Sequence, residues 1–285
     1  MSGIVGLGCP ASPAAASKHG VYCADAEGGL RRFLQKPSAD EQAAAGAIDA
    51  YGQTILDIGV FQFDAETAVK LLEIFTTRPC ADGEMPWTGT MHKLMLESGL
   101  DFYREICCAL GAQSSLEHYL TATERSGSGW PPSNLTWVFE QLNQIPASVR
   151  LLPRCSFLHF GTSHQLVSSG EALMRLQRFG SQPLGFLNVN NHFSEGGEVA
   201  GARAWVEACS ISSALRLSGD NVVVGVDVNT PLSLPHGGCV DVVKGRDRTG
   251  GAVSFVRCYG FHDGFKESVG AGARFCGRPI LEWLA

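Results

Sequence analysis

Residues 199–225 read VAGARAWVEACSISSALRLSGDNVVVG, and Val199, Trp205, Ile211, Leu217 and Val223 stand six residues apart within them. Small residues fill much of the space between: Ala208, Ser210, Ser212, Ser213, Ala214, Ser218, Gly219 and Gly225. A period of six is the signature of a parallel β-helix, in which each side of a rung sends one apolar side chain inward. The competing reading is a set of short antiparallel strands, since 45% of the chain is apolar and periods arise by coincidence. The hexad reading predicts that all five side chains share one interior.

Upstream the character is different. Before residue 180 helical and strand patterns alternate, and after it long helical patterns vanish, which divides the chain into domains 1–180 and 181–285. Val21–Ala24 and Leu30–Leu34 flank Gly28-Gly29 as a hairpin. Ser38-Ala39-Asp40-Glu41 is a capping box opening an Ala-rich helix that stops at Gly46. Ile55–Phe63, ILDIGVFQF, is long and apolar enough for a central strand. Asp64 caps a helix over 65–75 that sets Ala68, Leu71, Leu72 and Phe75 on one face. Further helices are predicted at 91–98, 101–110, 134–143 and, capped by Thr162 or Ser163, to about 179. Further strands are predicted at 149–152 and 156–160. Alternating strands and helices argue an α/β sheet.

Composition narrows the function. The 285 residues are globular in make-up, with 18% charged and 9% aromatic, and carry a net charge of −6. No basic stripe is present, which argues against a nucleic-acid partner. The ten cysteines include no C-x-x-C pair, so neither zinc spacing nor a disulfide framework is indicated. No apolar run approaches a membrane span, and residues 1–17 make a poor signal peptide. The expectation is a cytoplasmic protein without a membrane partner.

Three stretches are candidates for chemistry. In Phe33-Leu34-Gln35-Lys36-Pro37 a strand delivers a lysine, and the proline after it favours extended geometry. An ammonium at a strand end suits a phosphate; the alternative is a surface lysine before a turn. Leu56-Asp57-Ile58-Gly59-Val60 places an acid and a glycine within a buried strand, either beside a ligand or as a bulge with a hydrogen-bonded aspartate. Leu158-His159-Phe160-Gly161-Thr162 precedes a helix, so His159 and Thr162 face a polyanion there or, for the histidine, sit in the core. Gly6-Leu7-Gly8 is followed by Pro10 and Pro13 and makes no phosphate loop. His262-Asp263 has no partner at metal-ligand spacing and reads as a loop.

The order of His19-Gly20-Val21, FLQKP, LDIGVFQFD, DFYREI, FLHFGTSHQLV, the hexads and the final FCGRPILEWLA resembles the pyrophosphorylase part of the L-fucokinase/fucose-1-phosphate guanylyltransferase family. The resemblance runs from about Lys18 to Ala285. It implies an incomplete nucleotidyltransferase-like, Rossmann-like α/β sheet followed by a β-helix-like hexapeptide-repeat domain. It implies that GTP and L-fucose 1-phosphate give GDP-L-fucose and pyrophosphate, with Mg²⁺ as cofactor. FLQKP looks like the E-K-P motif of sugar nucleotidyltransferases, with Gln35 in place of the glutamate, which gives Lys36 the catalytic contact to the sugar phosphate. Asp57 and Gly59 then line the sugar pocket, and His19, Gly20, Gly161 and Thr162 join the substrate-binding set. LHFGT resembles W-x-D-x-G-T, but His159 stands where that motif has its metal-binding aspartate, so the metal ligands are left unassigned. The family's opening glycine-rich nucleotide loop is not seen, so the chain reads as a fragment. The alternatives are a non-catalytic sugar-phosphate-binding or assembly module and a hexapeptide-repeat acyltransferase.

Overall fold

Val21 and Cys23 point to one face of a strand and Tyr22 to the other, the period of two that builds the first sheet. The computed structural model describes residues 3–75, 90–155, 157–176, 185–264 and 267–285. They fall into two compact units, Met1–Phe157 and Leu158–Ala285. The change in sequence pattern at 180/181 comes later than this division, because the helix Ser163–Leu176 groups with the second unit.

The first unit holds strands β1 (Ile4–Ala11), β2 (Gly20–Ala24), β3 (Leu30–Gln35), β4 (Thr54–Phe63) and β5 (Ala147–Leu151) in the order β3-β2-β4-β1-β5. β1 and β5 run parallel; the other pairs are antiparallel. Helices α1 (Pro13–Ala16) and α2 (Ala39–Ala44) flank one face, where Cys9, Val21, Cys23 and Leu56 meet Ala16 and Ala47. On the other face Tyr22 and Phe33 pack with residues of α3 (Ala65–Phe75), α5 (Leu116–Arg125) and α6 (Pro132–Leu142); α4 (Thr90–Ser98) precedes α5 in sequence. Covered on both faces, the mixed sheet is Rossmann-like in its layering. The hairpin forms as expected, with Gly28 at φ 86° in its turn. So does the capping box: Ser38 Oγ accepts from Glu41 N, and Glu41 Oε2 accepts from Ser38 N at 2.7 Å. Asp64 Oδ1 caps α3 by accepting from Thr67 N at 2.7 Å.

Four expectations differ. Residues 4–11 form an inner strand that the glycines and prolines of that stretch hide from a sequence reading. Leu116–Arg125 is a helix capped by Ser115, which was not expected. Residues 101–110 make a π-turn at Phe102–Ile106 and a 3₁₀ turn at Cys107–Ala109 instead of a regular helix. Asp101 bonds the N–H groups of Tyr103 and Arg104 while Glu105 Oε2 reaches back to Asp101 N, and this reciprocal cap sets the irregular turn. No strand forms at 157–160; Ser156 lies outside the described residues.

The second unit opens with α7 (Ser163–Leu176) and continues as a β-solenoid of about three turns. Its rungs are β6 (Leu187–Val189), β7 (His192–Phe193), β8 (Glu198–Gly201); β9 (Ala204–Glu207), β10 (Ser210–Ile211), β11 (Ala214–Leu217); and β12 (Asn221–Val224), β13 (Asp227–Val228), β14 (Leu232–Leu234). Corresponding strands stack in parallel as three sheets. Three sides of roughly six residues each make one turn. Ile211, Leu217 and Val223 are buried inside, as the hexads predict, and Val199 packs against them. Trp205 is the exception. Its neighbours Ala204 and Val206 point inward, while the indole lies outside with Val167 of α7 and Val222. Pairing offsets vary between rungs (Leu215 meets both Val199 and Leu232), so a strict six-residue count slips by one at Trp205. β15 (Gly238–Arg246) begins a further rung and turns back antiparallel as β16 (Ala252–Gly260). β17 (Arg274–Phe275) and β18 (Arg278–Pro279) form a small ladder, and the final helix α8 (Ile280–Leu284) sets Trp283 against Phe275.

Candidate functional site

β2 begins at Gly20 and β3 ends at Gln35, opposite one another, while β4 runs on to Phe63. β2 pairs with β4 only at Val21–Leu56 and Tyr22–Ile55. Ile58–Phe63 therefore extends past β2 as a shoulder. On its other side the register with β1 slips between Gly6 and Gly8, so residues 58–60 bulge opposite Leu7. Gly59 carries the bulge at φ 76°, a conformation that a residue with a Cβ adopts only under strain.

Lys36 follows the end of β3, beside the residue that precedes β2. Its N–H donates to the carbonyl of His19 at 3.0 Å, and its side chain is exposed. The expected extended geometry is not what forms: Lys36 has φ 47°. The bond to His19 continues the hairpin by one residue, and the chain must then turn at once so that Ser38 can cap α2. A left-handed lysine costs roughly 1 kcal/mol or more, offset by those fixed neighbours. Among the described residues no carboxylate pairs with its ammonium.

His19 places its ring edge-on to Phe157, centroids 5.1 Å apart. Gly20 is required by close packing: a Cβ there would lie 2.3 Å from the Phe33 ring and 3.2 Å from Asp57 Cβ. Asp57 is only 5% exposed. The Tyr22 hydroxyl donates to its Oδ1 at 2.5 Å and Gly59 N–H at 3.2 Å. Burial pushes the Asp57 carboxyl above its ordinary value, and the two donors only partly oppose this. Burial, with the Asp57 charge second, also pushes the Tyr22 hydroxyl far up, so that it stays a donor. Tyr103 completes the group, its hydroxyl 3.3 Å from where a Gly59 Cβ would sit and its ring stacked on Phe33. Burial raises this hydroxyl's pKa as well.

Five expected residues thus share one end of the sheet: His19, Gly20, Lys36, Asp57 and Gly59. Lys36 meets solvent, whereas Asp57 faces inward and shapes the bulge through Gly59. Tyr22 and Tyr103 were missed. For Tyr103 the signal is its place in DFYREI; for Tyr22 it is a tyrosine facing two glycines across the sheet, which no local pattern reveals.

His159, Gly161 and Thr162 belong to the second unit. Thr162 Oγ1 caps α7 by accepting from Gln165 N at 3.2 Å. His159 Nδ1 lies 2.8 Å from Gln165 Oε1, and a Cβ at Gly161 would meet the histidine ring at 2.2 Å. Gly161 and Thr162 also line a cavity of about 900 Å³ with Phe160, Ser163, Asp241 and Arg257. Arg257 grips Asp241 with bonds of 2.6 and 3.0 Å from Nε and a terminal nitrogen. This cross-strand pair between β15 and β16 was also missed. His262-Asp263 is a turn, as expected: Asp263 accepts from Gly260 N and Gly277 N.

Among the described residues no three His, Cys, Asp or Glu side chains gather as a metal-binding group. No described helix is long and apolar enough to cross a membrane.

Over residues 1–285 the chain matches the family model of the fucose pyrophosphorylase domain. An L-fucokinase/L-fucose-1-P guanylyltransferase of Bacteroides fragilis is 25% identical over 295 residues, covering 99% of this chain and 27% of that protein. The chain thus spans about a quarter of that relative's length. A solved structure titled as mannose-1-phosphate geranyltransferase, from Thermus thermophilus, aligns over 89% of this chain and 55% of its own, at 18% identity and a TM-score of 0.26, too loose a superposition to support a site.

Proposed function

Since this chain belongs to the fucose pyrophosphorylase family, and hence to the sugar nucleotidyltransferases, we propose that it acts in the reaction of GTP with L-fucose 1-phosphate to give GDP-L-fucose and pyrophosphate. A phosphate oxygen of the sugar phosphate bonds to the α-phosphorus of GTP, the bond from that phosphorus to the bridging oxygen breaks, and pyrophosphate leaves. Such a transfer is accelerated chiefly by positioning and by offsetting charge.

Lys36 is the residue given the sugar phosphate. The observation that carries this reading is an exposed ammonium at a strand end, held in a left-handed backbone and without a carboxylate partner among the described residues. A strained backbone fixed by its neighbours is what a positioning role asks for. His19 and Gly20 lie beside it where β2 starts, and Asp57 holds the Gly59 bulge at the same end of the sheet. His159, Gly161 and Thr162 remain substrate-binding residues of the proposal on the second unit. Mg²⁺ enters the proposal as the ion accompanying the nucleotide's phosphates, and no step is routed through it.

The test is calorimetric titration of L-fucose 1-phosphate, with pyrophosphate release measured in a polypeptide that also carries the family's glycine-rich nucleotide loop. Lys36→Ala is expected to lose about 2–4 kcal/mol of transition-state stabilisation, roughly 30- to 1,000-fold in rate. GTP affinity should hold. Weakened GTP binding with intact sugar-phosphate kinetics would refute the assignment.

A further inference from the structure

β3 is an edge strand of its sheet. Part of its outer edge is occupied, since Ala112 N and Gln113 N donate to the carbonyls of Leu30 and Arg31 at 3.0 and 2.8 Å. Beyond that contact a cleft of about 400 Å³ opens between α2 and α5, lined by Arg32, Gln35, Glu41, Ser114, His118 and Arg125 among others. It lies wholly within the first unit.

The charges here do not balance. Glu41 is already committed: Oε2 accepts from Ser38 N at 2.7 Å, and Oε1 pairs with Arg125. Arg32 is half-buried, and no carboxylate among the described residues pairs with it. One terminal nitrogen donates to Gln113 O at 3.3 Å, while its Nε is buried with no partner. A water can satisfy that N–H, but it does not supply the negative charge that an arginine without a carboxylate partner lacks. An anion does both. A planar guanidinium fork is matched to phosphate oxygens. Arg125 and His118 stand seven residues apart on one stripe of α5, with Thr121 between them, so both reach the cleft. His118 keeps Nδ1 against Ser115 Oγ at 2.9 Å, which leaves Nε2 as its outward nitrogen.

We propose that this cleft is a binding site for a phosphate-bearing small molecule, seated on Arg32 and reached from the mouth by Arg125 and His118. It is separate from the residues given to the sugar phosphate above, and it does not depend on that assignment. Two linked phosphates fit better than one, because a second phosphate can reach the donors of Arg125 and His118 at the mouth while the first sits on Arg32.

The experiment is a ³¹P NMR titration of the purified chain with inorganic phosphate and with pyrophosphate. Saturable binding is expected for both, tighter for pyrophosphate. Arg32→Gln and Arg125→Gln should each weaken it at least about five-fold, and Lys244→Ala, an exposed lysine of the second unit, should leave it unchanged. Shifts that grow linearly without saturating would overturn the proposal, as would dissociation constants unchanged in both arginine variants. Loss in Lys36→Ala alone would overturn it too and would place the phosphate at the sheet end. Thermal melting establishes that the variants fold. Should Arg32→Gln fail to fold, Arg125→Gln decides, because Arg125 is exposed.

Discussion

The solenoid and the α/β sheet bury their interiors by opposite means. Inside the solenoid Val206, Ile211, Leu215 and Val223 are fully enclosed and wholly apolar, and the same positions recur rung after rung. The buried asparagine of this region, Asn221, lies at a corner where its amide reaches Pro235 O and Gly238 O and its oxygen takes Gly219 N–H. The α/β unit encloses Asp57 on its sheet and Glu105 in the turn Phe102–Ile106, and each needs a custom set of partners. Glu105 is 0% exposed and is held by Arg104, by Ser128 Oγ at 2.7 Å and by Asp101 N at 2.7 Å. A repeat solves burial once by residue type. An irregular core solves it residue by residue, and that freedom lets it place a cation such as Lys36 at a chosen point.

The comparison predicts unequal responses to charge. Ile211→Asp sets an unpaired carboxylate among apolar rungs and should cost on the order of 5 kcal/mol or more, melting the solenoid's β signal in circular dichroism. Unchanged melting would mean that Ile211 is not inside. Glu105→Ala removes a charge that is paired, and it strands Arg104; chemical denaturation should show a loss of about 3–5 kcal/mol. A loss below about 1 kcal/mol would show water reaching this pair. Lys36→Ala should change stability by less than about 0.5 kcal/mol, since an exposed lysine makes few contacts, so its effect on sugar-phosphate kinetics separates function from folding.

Asp57→Asn should have the smallest effect and a definite pH signature. Because the folded chain holds the Asp57 proton above the ordinary value of 3.8, the folded state binds it more tightly than the unfolded state. That stabilisation is complete below the unfolded value and is lost as pH rises through the raised folded value. The amide cannot ionise, so at neutral pH the variant should melt at or above the parent. The gap should close as pH falls below 3.8. A gap widening toward acid would show that the carboxylate, not the acid, is the stabilising form.

Legibility followed the same division. The hexads exposed the solenoid because apolar residues recur at fixed spacing, and the slip at Trp205 marks where rung length varied. The capping box and the β2–β3 hairpin were also readable, since both are local chemistry. β1 was not, because Gly6, Gly8 and Pro10 make it look like a loop; its glycines answer to Tyr22, far along the chain. α5 had a usable signal in Ser115 followed by Leu116, Tyr119, Leu120 and Thr123 at helical spacing. At the sheet end, Lys36, Asp57 and Gly59 could be picked out by residue type. The left-handed Lys36 could not, because the pre-proline preference was overruled by the hydrogen bond to His19 and the turn into α2.

A Cβ on Gly6 would lie 2.3 Å from the Tyr22 hydroxyl oxygen and one on Gly8 2.5 Å from Ile55. In evolutionary terms these positions are not free to drift singly. A lineage that acquires alanine at position 6 must first shorten residue 22, and shortening residue 22 strips Asp57 of its hydroxyl donor, leaving only Gly59 N–H, so a neutral route passes through an uncharged residue at 57. Related chains should therefore carry glycine, tyrosine and aspartate at these three places together or replace all three together, a statistical linkage spanning 51 positions that originates in the radius of one methyl group.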